Sequence, residues 1–390
     1  MIASLRHLRI ILEVQRTRSI TRAAGSFHLS QPAVTTALTG LEGRLGVALF
    51  DRHPSGLDPT PVGAALCLRI ARAFAMLDPA LSELSPRLVR TASLAKIKAL
   101  IAVVETESFS AGARRLGIAQ PTVHRAIAEM EGDAGQDLFS RTAQGVIPTR
   151  PVRNLATAAQ LALSELAQAP ADIAELLGRE AGRVVIGAMP LSRSVLLGPA
   201  IARFRALGRT IPVRVVEGPY DELTLGLRRG EIDFLIGALR ADAKDLQQDP
   251  ILTDEMAIVC RPGHPALRQD ADAHLLAHAP WVVAPEGSPA REHFHRLFHA
   301  AAMNSPVSLV ETGSMELLVD LVGRTDHFGF VSARQVQGVL AKGILAQLAY
   351  PLPGTSRAIG LTFRPSWHPT PAQSDMVAAI RFVAAQAEAA

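Results

Sequence analysis

Apolar residues in the first half of the chain fall three and four apart, whereas in the second half they gather in short runs. Leu5, Leu8 and Leu12, with Ile11 adjoining, keep helical spacing. The stretch "ITRAAGSFHL" then puts Ala23, Ala24 and Phe27 on one helical face. The chain restarts at "SQPAV". Ser30 is a favoured helix N-cap, and Pro32 loses nothing in a first turn, where its missing N–H has no partner anyway. Val34, Leu38, Leu41 and Leu45 continue a third helical seam that Gly46 ends. "VALFDRHPSGLDPT" follows as two short extended pieces around a turn at Pro54, Ser55 and Gly56. Helix, helix, turn, helix and hairpin make the pattern of a winged helix-turn-helix, whose third helix enters a DNA groove. A three-helix bundle that touches no nucleic acid carries the same pattern.

The pattern returns. "SQPAVTTALTGLEGRLGVALFDR" (30–52) has an echo 89 residues on in "AQPTVHRAIAEMEGDAGQDLFSR" (119–141), with no gap between them. Over 19–60 and 108–149, fifteen of 42 positions are identical, too long a unit and too few copies for a solenoid. After each copy a new apolar stripe steps by three or four. The first runs through Leu66, Ile70, Ala73, Leu77, Leu81 and Leu84, the second through Leu155, Ala159, Ala162, Leu166, Ala169 and Ile173. Such a stripe either joins helices in a coiled contact or packs on its own domain, and the pattern leaves both open.

From Gly182 the period changes. "RVVIGAM", "PVRVVEG" and "EIDFLIGA" read as buried strands separated by helices, which predicts a parallel α/β unit. A second series follows in "APWVVAPEG", a helix over 291–303, "VSLVETG", a helix over 315–322, and "FGFVSA". The last strand, "AIGLTFR", and the helix from Pro371 are expected to return to the first lobe.

Read together, "SITRAAGSFHLSQPAVTTALTGLEGRLGVALFDR" resembles the amino-terminal signature of the LysR-type transcriptional regulators. Ser19, Ala23, Ala24, Ser30, Gln31, Pro32, Val34, Leu41, Glu42, Gly46, Phe50, Arg52 and the Thr60-Pro61 pair carry the likeness. Ser108, Phe109, Ala113, Gln120, Pro121, Val123, Glu131, Gly135, Phe139 and Arg141 carry it in the second copy. "GEIDFLIG" and "VCRPGHPAL" extend it to the second half, and "PLPGTSRAIGLTFRPSWHPTPAQ" is similar to the galactose-binding-protein regulator subgroup. The resemblance implies a multidomain chain: two all-α winged helix-turn-helix modules (1–60 and 91–149), each with a linker helix (61–90 and 150–180), and a two-lobed α/β periplasmic-binding-protein-like effector domain (181–390). It also implies that a linker helix forms the coiled contact of a dimer. Family members ordinarily carry one such module, so the duplication is a departure.

The implied DNA contacts are Ser30, Gln31, Pro32, Thr35, Thr36 and Arg52 in copy one, and Gln120, Pro121, Thr122, His124, Arg125 and Arg141 in copy two. Thr35 and Thr36 carry no charge, whereas Arg125 suits a bidentate guanine contact. Residues 5–60 hold seven Arg against four acids; residues 94–149 hold six Lys and Arg against six acids. Phosphate attraction scales with cationic contacts, so copy one has the stronger non-specific grip. In the α/β half, ligands bind beyond strand carboxyl ends at the crevice. There Ser192 and Ser194 are expected at a helix amino terminus, facing Glu286, Gly287, Ser288, Thr312, Gly313, Ser314 and Phe328 across it. A sugar or a carboxylate suits such a site, although Ser192 and Ser288 can equally be plain helix caps.

Composition narrows the rest. The net charge of +4 and pI near 9.5 permit nucleic-acid binding without demanding it, and 36 of 40 basic residues are Arg. No apolar run is long enough for a bilayer, and the amino terminus has no signal-peptide pattern, so a cytoplasmic protein is expected, away from membranes. Cys67 and Cys260 have no metal-ligand spacing and read as reduced thiols. His293, His295 and His299 lie on one helix, but without an HExxH pattern they read as a solvated face rather than a metal site. Phosphate-loop, nucleophile-elbow and dinucleotide motifs are absent, so neither an enzyme nor a cofactor is expected. The expected partners are double-stranded promoter DNA, a small-molecule effector and a second copy of the chain, as homodimer or homotetramer. The alternative is a cytoplasmic small-molecule-binding or chaperone-like protein whose helix-turn-helix modules are structural.

Overall fold

A computed structural model describes residues 4–54, 56–143, 145–268, 271–365 and 367–389. The chain divides into two compact units, one of residues 1–183 with 228–231, the other of 184–227 with 232–390.

The first unit builds one arrangement twice. α1 (Leu5–Thr17), α2 (Ile20–Ser26), α3 (Gln31–Leu45), the hairpin β1 (Phe50–His53) and β2 (Gly56–Pro59), and the long α4 (Pro61–Leu84) come first. A short turn of helix, α5 (Leu88–Thr91), leads to α6 (Leu94–Thr106), α7 (Phe109–Leu116), α8 (Gln120–Ala134), the hairpin β3 (Phe139–Thr142) and β4 (Gly145–Pro148), and α9 (Arg150–Leu176). The two hairpins are antiparallel, so the expected all-α character holds for each bundle and not for its wing. Ser55, part of the expected hairpin turn, lies outside the described residues.

Identical residues do identical work in the two copies. Ser19 and Ser108 cap α2 and α7 by accepting from Arg22 N–H and Ala111 N–H. The Glu42 and Glu131 carboxylates accept the N–H of Leu49 and Leu138 at 2.8 and 3.0 Å, tying each third helix to its wing. Gly56 and Gly145 stand at φ +135° and +153°, each with its Cα against the carbonyl of Arg18 or Glu107. A Cβ at either would lie inside 3 Å of that oxygen, so only glycine lets the wing close on its helix. The next residue of each wing, Leu57 or Val146, donates its N–H to the same carbonyl at 3.0 or 2.9 Å.

The second unit holds two five-stranded sheets. Its strands are β5 (Val184–Ala188), β6 (Val213–Val216), β7 (Phe234–Ala238), β8 (Gln247–Asp254), β9 (Met256–Cys260), β10 (Trp281–Val283), β11 (Leu309–Glu311), β12 (Phe328–Ser332), β13 (Ala346–Gln347) and β14 (Arg357–Phe363). They order as β6-β5-β7-β14-β8 and β11-β10-β12-β9-β13. The expected strands are parallel to one another within each sheet, but β14 runs antiparallel to β7 and β8, and β9 antiparallel to β12. The sheets are therefore mixed, which corrects the purely parallel expectation. β14 does return to the first sheet, and the helix Pro371–Ala389 shares its core. The chain passes between sheets at Asp254–Met256 and again ahead of Arg357. At this double crossing the fully buried Asp254 takes Arg357 at 2.8 Å and the Ser332 hydroxyl at 2.7 Å.

Candidate DNA interface and effector cleft

The starts of α3 and α8 are exposed in both copies. Ser30, Gln31, Pro32 and Thr36 are exposed, as are Gln120, Pro121, Thr122 and Arg125; Thr35 and His124 are half-buried. Val34, Leu38 and Leu41 on one helix, and Val123, Ile127 and Met130 on the other, face inward. Helical periodicity thus presents the predicted contact residues outward as a set. Arg52 and Arg141 are exposed on the wings.

Some of these side chains are already engaged. Ser30 occupies the N-cap position of α3 but makes no capping bond with its hydroxyl. Gln31 donates its amide to the Thr21 hydroxyl, and Gln120 accepts from Ser110, the residue at the corresponding place, at 2.9 Å. Both glutamines therefore pin the third helix to the second. The His124 ring stacks on Phe109, with centroids 4.1 Å apart and planes 15° from parallel.

In the second unit a cavity of about 120 Å³ opens between the two sheets, roughly ten times the space one water needs. Met189, Pro190, Leu191 and Ile359 line it from the first sheet's side, and Ala284, Met315, Leu318 and Phe330 from the second's. Its polar lining is Ser288, Thr312, Ser314, Ser332, Gln335 and Arg357. Four helices begin here. Pro190 starts one; Ser288, Ser314 and Ser332 are the N-caps of the helices Pro289–Ala300, Met315–Arg324 and Ala333–Ala341. Their amino ends put positive dipole ends around one small space. Glu316, one residue into its helix, is held below the usual carboxylate range by that helix's own N–H and by the Ser314 hydroxyl.

Of the expected effector contacts, Ser288, Thr312, Gly313 and Ser314 line the cavity. The others stand elsewhere. Ser192 is fully buried inside its helix, with its hydroxyl between the carbonyls of Met189 and Ile236. Ser194 bonds back to Pro190 and Leu191, because the helix starts at Pro190, ahead of both serines. Glu286 pairs with Arg291, and Gly287 accepts from Arg240. Phe328 is buried in an aromatic cluster with Trp281. Met189, Ser332, Gln335 and Arg357 escaped the sequence reading. "SARQ", an S-x-x-Q helix start, was the available signal for two of them.

Among the described residues no three His, Cys, Asp or Glu side chains converge as a metal site, and no helix is long and apolar enough to cross a membrane. Burial pushes the thiols of Cys67 and Cys260 up to about 12 and about 11.

The sequence matches two family profiles. One, described as "Bacterial regulatory helix-turn-helix protein, lysR family", matches twice, over residues 5–64 and 94–151. The other, "LysR substrate binding domain", matches residues 177–385. The HTH-type transcriptional regulator GalR of Pseudomonas putida is 35% identical over 97% of both chains. GbpR of Azospirillum brasilense is 28% identical over 60% of this chain and 69% of its own. Among solved structures, ArgP from Mycobacterium tuberculosis superposes with a TM-score of 0.55 at 18% identity, covering 74% of this chain and 96% of its own. Full-length OxyR from Pseudomonas aeruginosa gives 0.53 at 22%, covering 74% and 97%. At those identities the likeness is one of fold.

Proposed function

The chain belongs to the LysR family of bacterial transcriptional regulators, and from that premise we propose how its parts divide the work of a DNA-binding, effector-sensing regulator. Residues 1–60 and 91–149 are two winged helix-turn-helix modules, 61–90 and 150–180 their linkers, and 181–390 the effector domain. Gln31 and Gln120 fix the reading helices; Thr36 and Arg125 face base edges; Arg52 and Arg141 hold phosphate from the wings. The observation that carries this is the outward set of Gln, Pro and Thr side chains at both helix starts, joined by Arg125 in the second, above an inward apolar seam. As a regulator of promoter DNA the protein works in the cytoplasm, and catalysis has no part in the role.

The effector is a small anion, a carboxylate before a neutral sugar. The helix amino ends around the cavity, with Arg357 in its lining, favour negative charge. Ser288, Thr312 and Ser314 would hold it, with Gln335 and Arg357 beside them. Ser192 supports that wall from within, and the exposed Ser194 hydroxyl accepts from the Gln335 amide at 3.4 Å. GalR and GbpR are named as regulators of the same type, which agrees with the role without naming the ligand.

Fluorescence anisotropy with labelled promoter duplex, at two salt concentrations, tests the DNA half. Affinity should fall steeply as salt rises, and a flat response would favour structural modules. Ser288→Ala with Ser314→Ala should abolish the effector's influence on that titration while leaving the basal affinity unchanged.

A further inference from the structure

We propose that the two modules of one chain form a single reading pair, so that one protomer contacts both halves of its operator and the halves differ in sequence. The proposal rests on the reading that α3 and α8 face DNA. It starts from how α4 and α9 meet. The carboxyl end of α4 lies where α9 begins: Gln136 donates to the Leu84 carbonyl, and Thr149, the cap of α9, donates to Leu138. At the other end Arg69, early in α4, meets Glu165 and Asp172, late in α9. The helices therefore run antiparallel, and their apolar stripes belong to one continuous core. Both stripes are used up inside the chain.

The charges at this contact favour unlike helices. Arg69 is 3% exposed, Glu165 is 6% exposed, and they meet at 2.9 Å; Arg69 also donates to Asp172 at 2.6 Å and to Gln168 at 3.0 Å. Moved by the repeat of 89 residues, Arg69 corresponds to Ala158 and Glu165 to Met76. Two α4 helices packed in this register would set each Arg69 against Met76 and Glu83, one carboxylate where α9 offers two. Two α9 helices would set each Glu165 against Ala158, burying carboxylates with no cation. Leaving buried carboxylates unpaired is strongly unfavourable, so the cluster excludes the α9 pair, and only α4 with α9 gives Arg69 both of its carboxylates. Nine residues (85–93) separate α4 from α6, which keeps the partners together at any protein concentration. The modules so paired present Thr35 and Thr36 on one side and His124 and Arg125 on the other. A pair with unlike readers matches unlike half-sites.

The test uses full-length protein and a duplex that it selects from a random pool. The selected duplex should carry two dissimilar half-sites. In hydroxyl-radical footprints, Arg52→Ala should lose protection in one half and Arg141→Ala in the other, each lowering the salt slope by about one. Both arginines are exposed, so both variants fold. If each substitution weakened both halves alike, like modules from two chains would be reading the site and the proposal would be wrong. Sensitivity to one substitution alone would equally overturn it. Failure to select any duplex would remove the DNA reading beneath it.

Discussion

Ser19 and Ser108 cap the same helix, Glu42 and Glu131 accept from the same backbone N–H, and Gly56 and Gly145 close on the same carbonyl, 89 positions apart. Thr36 and Arg125, Thr35 and His124, Glu13 and Ala102, and Arg69 and Ala158 occupy matching places with unlike chemistry. The first set fixes helix ends and wing attachment, where geometry allows one solution. The second set lies outside those fixed points, at the proposed reading face, at the α1–α2 joint or against the other copy, where each module is free to do something different. Two modules with one scaffold and two surfaces are what a pair needs to recognise itself and an asymmetric target.

The largest difference should appear at the linker helices. Arg69→Met leaves Glu165 and Asp172 buried without their main cation and should cost about 3–5 kcal/mol. Hydrogen exchange of the α4 and α9 amides reads it locally, free of the second unit. Ala158→Ser, at the matching place, should stay within about 0.5 kcal/mol. Adding Glu165→Leu and Asp172→Leu to Arg69→Met should recover most of the loss, because a packed apolar replacement needs no cation. If Arg69→Met cost no more than Ala158→Ser, charge would not be what pairs the copies.

Next comes the reading face. Arg125→Ala should lose about 1–3 kcal/mol of discrimination at one base pair. Thr36→Ala removes a neutral donor and should lose about 0.5–1.5 kcal/mol. Competition titrations against duplexes altered one position at a time measure both. Equal losses would mean that the copies read alike. Comparable to the Thr36 loss is the His124 stack: His124→Ala gives up the Phe109 contact, about 0.5–1.5 kcal/mol, visible as weaker exchange protection in α7 and α8.

The helical seams, the wings and the repeat itself could be read from the sequence, because each rests on local spacing. The Arg69 cluster could not. Its partners lie about a hundred residues away, and an Arg between Leu66 and Ile70 looks like the edge of a polar face. In the α/β half the cap at Ser288 was legible for the same local reason. The place of Ser192 and Ser194 was not legible, because Pro190 starts their helix ahead of both and a wide turn over Arg193–Leu197 follows. β8 was missed because Pro250 interrupts it. It is an edge strand, and the register shifts beside that proline, which is where a strand tolerates one. Phe328 and Phe330 share a strand face, so alternation alone could not say that Phe330 reaches the cavity while Phe328 stays under Trp281.

The smallest predicted difference is a titration confined to copy one. The Glu13 carboxylate accepts from Arg16 at 2.6 Å and from the Ser26 hydroxyl at 2.6 Å, joining α1 to α2. The Arg16 bond is the main reason its carboxyl drops from an ordinary 4.5 to about 2. Folding therefore favours the ionised form, so the stabilisation is complete above pH 4.5 and is lost as pH falls through about 2. Arg16 is 71% exposed, and solvent screening holds the whole effect under about 1 kcal/mol. Glu13→Gln should accordingly lower exchange protection in α1 and α2 slightly at neutral pH. The gap from the unsubstituted protein should narrow below pH 4.5 and close near pH 2, and high salt should shrink it at every pH. Ala102 stands at the matching place in copy two, buried and uncharged, so α6 and α7 should show no such change. An identical acid response in α6 and α7 would trace the titration to something the copies share, and Glu13 would no longer distinguish them.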